Sequence, residues 1–212
     1  MQRFKLRVIF AVDLVRFALF RARWRQQIHV QTPSSPNLRL AQLKIESGGS
    51  IEVEPMFATE RQAGNVIWIQ RGGTLHLGRA AWLRTQHGTN RITVFPGARI
   101  EIGPRSLING AMLHAKQEIR IGSDANIGFG VRIIDADLHP LDSETPERIE
   151  PVRIGDRVWL GADTLVLRGV TIGDDVVVGA GSVVTRDLPP RVLALGAPAR
   201  PVREIASRTG CA

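Results

Sequence analysis

Residues 154–188 read IGDRVWLGADTLVLRGVTIGDDVVVGAGSVVTRDL. Stepping by six from Ile154 meets Leu160, Val166, Ile172, Val178 and Val184, and every one is aliphatic. The residue that follows is Gly155, Gly161, Gly173 or Gly179 in four of these steps, with Leu167 and Thr185 in the other two. The fifth residue of each hexad is Val158, Thr164, Val170, Val176, Ser182 or Leu188, small or β-branched in five cases of six. Such a period describes a short strand and a tight turn, repeated, with one aliphatic side chain per strand pointing inward. Glycine follows where a Cβ would crowd the backbone. The fifth residue is small because it also points into a narrow interior. A helix is a poor alternative: a six-residue spacing drifts around its surface, and a glycine in most hexads would cost about 1 kcal/mol each.

Upstream the same frame continues through Ile102, Ile108, Ile121, Ile127 and Ile133, with one extra residue between 108 and 121. Earlier, aliphatics recur in pairs: Ile51/Val53, Ile67/Ile69, Leu75/Leu77, Ile92/Val94 and Ile100/Ile102. Reading Ile51 to Ile69 as three hexads predicts three-sided coils. Residues 50–188 then make about eight coils, each rising about 4.8 Å and bonding only to its neighbours. The predicted fold is all-β, a parallel β-helix over residues 31–205, with a basic helix at 1–30 before it and a tail at 206–212. One segment breaks the frame. Residues 135–151, DADLHPLDSETPERIEP, hold three prolines and six acidic residues and lack aliphatic periodicity. An excursion from a rigid scaffold is where function is expected.

The 212 residues carry ordinary globular proportions, 43% hydrophobic and 23% charged, which argues against disorder for most of the chain. The lone cysteine, Cys211, excludes a disulfide framework and a cysteine zinc site within one chain. The formal charge of +8 is concentrated: seven of the first 27 residues are basic and only Asp13 is acidic. The body is close to neutral, and aromatics are only 5% with no tyrosine, so nucleic acid is not the expected partner. Residues 3–25 are predicted to form an amphipathic helix. Within VIFAVDLVRFALF, residues 8–20, the two charges Asp13 and Arg16 lie on one edge of the helical wheel, and Phe10, Phe17 and Phe20 belong to the apolar remainder. Two roles stay open for it: a peripheral contact with a membrane surface, or packing against the β-helix or a neighbouring subunit.

The stretch 151–205 resembles the C-terminal half of the hexapeptide-repeat acyltransferases, in the branch of maltose, galactoside and polysaccharide-modifying O-acetyltransferases. The pieces LHP, PVRIGDRVWLG, GVTIG, GAGSVVTRDLPP and GAPARPV stand in that family's order and spacing. The likeness begins near Ile100, and the first 100 residues do not share it closely. It implies a left-handed hand for the β-helix, a homotrimer with each active site between two subunits, and acetyl-CoA as co-substrate with no permanently bound cofactor or metal. It implies that His139 is catalytic. Chemistry supports this independently: attack of a hydroxyl on a thioester releases a proton, and a neutral imidazole with a reference pKa of about 6.5 can take it. Asp135, Asp137 and Asp142 stand near in sequence, and one of them, or a backbone carbonyl, could orient the ring. The resemblance further places Ala180, Gly181, Thr185, Arg186, Arg200 and Arg203 along the CoA groove, Trp159 beside the active site, and Asn109 and His114 near the acceptor.

The reading that follows is transfer of an acetyl group from acetyl-CoA to a hydroxyl of a sugar, in a surface polysaccharide or its lipid-linked precursor. The expected location is cytoplasmic, at the inner face of the membrane if the N-terminal helix binds lipid. An N-acetyltransferase acting on a nucleotide-linked amino sugar is the alternative. A metalloenzyme of the γ-carbonic anhydrase kind needs three converging histidines, and His29, His76, His87, His114 and His139 offer no suitable pair. A non-catalytic scaffold is disfavoured by the presence of His139.

Overall fold

The computed structural model describes residues 15–16, 18–31, 34–60 and 64–210. Their strands form three parallel sheets, which are the faces of a three-sided coil. The first face holds Ile28–Val30, Ser50–Val53, Thr74–Leu77, Arg99–Ile102, Glu118–Ile121, Val152–Ile154 and Thr171–Ile172. The second holds Ala58–Thr59, Trp82–Arg84, Leu107–Asn109, Asn126–Ile127, Trp159–Leu160 and Val177–Val178, and ends with the antiparallel pair Val192–Gly196 and Ala199–Glu204. The third holds Gln42–Ile45, Asn65–Ile69, Asn90–Val94, Met112–Ala115, Arg132–Ile134, Leu165–Val166 and Val183–Val184. In the first coil the short 3-10 helix Pro36–Leu40 stands between the first-face and third-face strands.

The hexad frame maps onto this directly. Ile154, Leu160 and Val166 fall on the first, second and third faces, and Ile172, Val178 and Val184 lie one coil further on in register with them. All six are buried, as are Val158, Thr164, Val170, Val176, Ser182 and Leu188. Stacked aliphatics of this kind contribute about 1.5–3 kcal/mol each. The hexad glycines are needed for close approach. A Cβ on Gly161 would stand 2.6 Å from the backbone nitrogen of Ala180 in the next coil. The left-handed corner residues are mostly others: Arg105, Asp124, Arg157, Asp175 and Arg191 all have φ between 56° and 60°. They stack along the corner between first and second faces. Ion pairs between successive coils, Arg105–Asp124 at 2.6 Å and Arg157–Asp175 at 2.8 Å, offset part of a strain of roughly 1–2 kcal/mol per residue.

Three expectations need correction. Ile51 pairs with Leu75, not with Ile69, which lies on a different face, and Leu77 pairs with Ile102. The early coils are longer than three hexads because their strands run to four or five residues, so fewer coils fill residues 50–188 than the hexad count predicts. The coil also begins at Ile28, which pairs with Ile51, inside the segment expected to be helical. Residues 15–16 and 18–23 are helical and 24–27 turn into that strand. The rest of the expected helix, up to residue 14 and at Phe17, lies outside the described residues, as does Cys211. Finally, the segment expected as a tail is tied down. Ser207 Oγ and the Arg208 N–H both donate to Asp175, at 3.3 and 2.7 Å, and the Arg208 guanidinium lies over the Trp159 ring at 5.6 Å.

Gly161→Ala tests the close stacking. It should destabilise the protein by about 1–3 kcal/mol in urea titration, because backbone must shift to admit the methyl group. Gly181→Ala, whose Cβ would meet nothing within 4 Å, should cost only the strain of its φ of 69°.

Candidate active site

The excursion leaves the third face after Ile134 and rejoins the first face at Val152, so it stands at the corner between them. Its base is a short antiparallel ladder. Ala136 bridges to Ile149, the Asp137 N–H donates to the Arg148 carbonyl at 3.0 Å, and the Glu150 N–H to the Asp135 carbonyl at 2.9 Å. Asp135 is fully buried, and its carboxylate accepts the N–H groups of Lys116, Gln117 and Glu118, each at 2.7 Å. Burial pushes its pKa up, and these three donors oppose that shift. The loop is then clamped from the coils on either side. Lys116 Nζ meets Glu147 at 2.8 Å, and Arg168 bridges Asp137 at 2.6 Å and Glu150 at 3.0 Å. The hydrogen bond from Arg168 holds the Asp137 carboxyl below its usual range.

His139 stands exposed on this anchored loop, directly after Leu138, whose φ of 69° is left-handed. A leucine in that region is uncommon and redirects the chain sharply before His139 and Pro140. None of the three aspartates suggested as its orienting partner has that role within the subunit. Asp135 and Asp137 are engaged as above, and Asp142 caps its own loop through the N–H groups of Glu144 and Thr145. The sequence reading missed Arg168, Lys116 and the anchoring role of Asp135. A signal for Asp135 was available: it lies two residues after the inward Ile133, so its carboxyl was due to point inward and needed donors.

A cleft of about 420 Å³ lies between the loop base and the coil below, lined by Asp137, Arg148, Glu150, Leu167, Arg168, Thr185 and Arg186 among others. Thr185 and Arg186 are therefore brought to the loop that carries His139. The other predicted CoA contacts are not. Ala180 and Gly181 occupy the corner between second and third faces, where Gly181 donates its N–H to Ala162 at 2.8 Å. Arg200 and Arg203 lie on the end strand of the second face, and both are exposed. Trp159 is on the second face, 45% exposed. Asn109 ends a second-face strand, and its Oδ1 is buried without a hydrogen-bond donor. His114 is on the third face, half-buried and edge-on to Phe95 at 6.4 Å. Burial pushes its pKa down, and its carbonyl accepts from the Asp135 N–H at 3.4 Å, so it borders the loop root. One subunit thus splits the predicted site into two groups at different corners. Among the described residues no cluster of three His, Cys, Asp or Glu side chains is placed to hold a metal ion.

A stacked coil with a polar, histidine-bearing excursion and cations along its C-terminal turns defines an acyltransferase of the β-helix class. The comparisons agree. The model "Hexapeptide repeat of succinyl-transferase" matches residues 151–186. Galactoside O-acetyltransferase of Escherichia coli K12 is 47% identical over 166 residues, covering 74% of this chain and 68% of that protein. The maltose O-acetyltransferase of Clostridium difficile 630 superposes with a TM-score of 0.56 at 34% identity, over 62% of this chain and 70% of that one. A hexapeptide-repeat acetyltransferase from Vibrio cholerae O1 biovar eltor, solved with acetyl coenzyme A, gives 0.51 at 31% identity, over 62% and 72%. Against other curated relatives the chain spans under half of their length, 44% of one and 36% of another. The chain belongs to the hexapeptide-repeat acetyltransferases, with galactoside and maltose O-acetyltransferases among its relatives, and its coil is the left-handed β-helix of that family.

The loop clamp has a pH signature. Asp137 is depressed when folded, so its contribution is complete above the ordinary carboxylate range and is lost as pH falls through its own lower value. Limited proteolysis between residues 139 and 147 should be constant from about pH 8 to 5 and accelerate as the pH falls below the ordinary carboxylate range. Arg168→Ala should abolish this step by exposing the loop at every pH. A rate unaffected by the substitution would show that Arg168 does not hold the loop.

Proposed function

We propose that the protein transfers an acetyl group from acetyl-CoA to a sugar hydroxyl, with His139 as general base. The observation that carries this is the anchored loop: residues 135–151 are gripped by buried and ion-paired contacts, His139 stands exposed on them, and Thr185 and Arg186 line the cleft at the loop base. The acceptor oxygen attacks the thioester carbonyl carbon while the His139 imidazole removes its proton. The tetrahedral intermediate collapses, the C–S bond breaks, and the imidazolium returns the proton to the departing CoA sulfur. Holding both substrates in one groove supplies the proximity that the bimolecular reaction lacks. The diphosphate and 3′-phosphate of CoA call for cations, and Arg186, Arg200 and Arg203 present exposed guanidinium groups at the C-terminal coils.

The two halves of the site come together in a trimer. The outward column of the second face runs Trp82, Leu107, Asn126, Trp159, Val177 and Leu193, apolar but for Asn126 and suited to burial. The corresponding column of the first face, Glu52, His76, Glu101, Arg120 and Arg153, is wholly polar. Packing through the second face would bring the corner with Asn109, Ala180 and Gly181 of one subunit beside the neighbour's loop with His139. The acceptor is assigned to a glycan, with Asn109 and His114 as its contacts, because the galactoside and maltose O-acetyltransferases among the relatives act on sugars. The co-substrate argues for a cytoplasmic location.

His139→Ala should preserve the trimer by sedimentation and acetyl-CoA binding by calorimetry, while lowering kcat by ~10²-fold or more. Activity within a factor of about two of the parent would remove His139 from the chemistry.

A further inference from the structure

The helical segment before the coil has two apolar sides, and the coil covers only one. Phe20 and Trp24 are partly buried against the core. On the far side Val15 and Leu19, one turn apart, are 61% and 66% exposed, and the exposed Ala18 and Ala22 carry that surface to the rim of the groove along Ile28 and Val30. Cations border this stripe on both long edges. Arg21 and Arg25 line the groove shared with Ile28 and Val30, and Arg16 and Arg23 line the one shared with Ala41 and Leu43. The sequence contains no Asp or Glu between Asp13 and Glu46, so every Lys, Arg, Asp or Glu from Arg16 to Lys44 is a cation.

We propose that this outward side docks on an anionic lipid bilayer, lying flat with Val15, Ala18, Leu19 and Ala22 at the acyl boundary and the arginines among the phosphates. Packing on the coil and binding to lipid are therefore two faces of one helix. The stripe is shallow and made of small aliphatic side chains, with cations along both edges. A plane of anionic headgroups above acyl chains meets both demands at once, whereas a protein groove would need carboxylates on both walls. Among the described residues no helix is long and apolar enough to cross a membrane. Phe20 and Trp24 fasten the helix to the first coil, which places that end of the coil at the bilayer and favours acceptors carried on the membrane. The inference does not depend on which group the enzyme transfers.

The test is co-sedimentation of the full chain with vesicles of phosphatidylglycerol and phosphatidylcholine, against vesicles of phosphatidylcholine alone. The full chain should pellet with the anionic vesicles and stay in solution with the neutral ones, and high salt should weaken the binding. Val15→Glu with Leu19→Glu should cut the bound fraction by at least about tenfold, and Arg21→Glu with Arg25→Glu by about twentyfold, with thermal melting unchanged in both. The proposal fails if the parent stays in solution with anionic vesicles at low salt, or if the Val15/Leu19 variant pellets equally. It also fails if that variant alters the oligomeric mass without vesicles, since the stripe would then be a contact between copies.

Discussion

Backbone hydrogen bonding between equivalent positions of successive coils is the constraint on which everything else depends. Each strand donates to and accepts from the coil above and below, so the spacing between coils is that of neighbouring strands, about 4.8 Å. At that spacing the interior admits one layer of aliphatic side chains per coil, and the turn after an inward residue often has no room for a Cβ. The faces cannot bulge without breaking the ladder for every neighbour. Extra chain can leave only at a corner, and residues 135–151 do so. The regular stacking around residues 135–151 makes this excursion precise, because the coils on either side can grip it.

Grip here is largely electrostatic, and its parts differ in strength. The Asp135 carboxylate, buried and receiving three backbone N–H groups, is the contact whose loss would be most disruptive, since an unpaired polar group would remain inside. Arg168 and Lys116 act nearer solvent, where ion pairs contribute less and are screened by salt. They matter for the position of the loop more than for the stability of the coil. The corner ladder of Arg105, Asp124, Arg157 and Asp175 is different again: it offsets left-handed backbone that glycine would have adopted freely.

The regular half of the coil was legible in the sequence because the period is local. Ile154 through Val184 specify three faces with nothing more than spacing. The early coils were not, because Ile51, Leu75 and Ile100 are registered by long strands and by side lengths that vary from coil to coil. The place of His139, in a break of the pattern, was legible from spacing, and Thr185 and Arg186, named from likeness alone, line the cleft at the loop base. The loop's surroundings were hidden: Lys116 reaches Asp135 and Arg168 reaches Asp137 only because the coil stacks residues 19 and 31 positions apart. The far group, Asn109, Ala180, Gly181 and Arg200, carries no sign in one chain that it belongs with His139, since the face between them separates the two corners.

That separation makes a decisive measurement available. Subunits carrying His139→Ala and subunits carrying Arg200→Glu with Arg203→Glu, each inactive at low acetyl-CoA, can be co-expressed under two tags and the mixed oligomers purified. If His139 of one subunit works with the arginines of the next, every mixed trimer has one intact pair among its three sites, and the purified mixed oligomers should recover about a third of the parental activity. Activity no greater than that of either inactive parent would contradict a shared site and place both groups within a single chain.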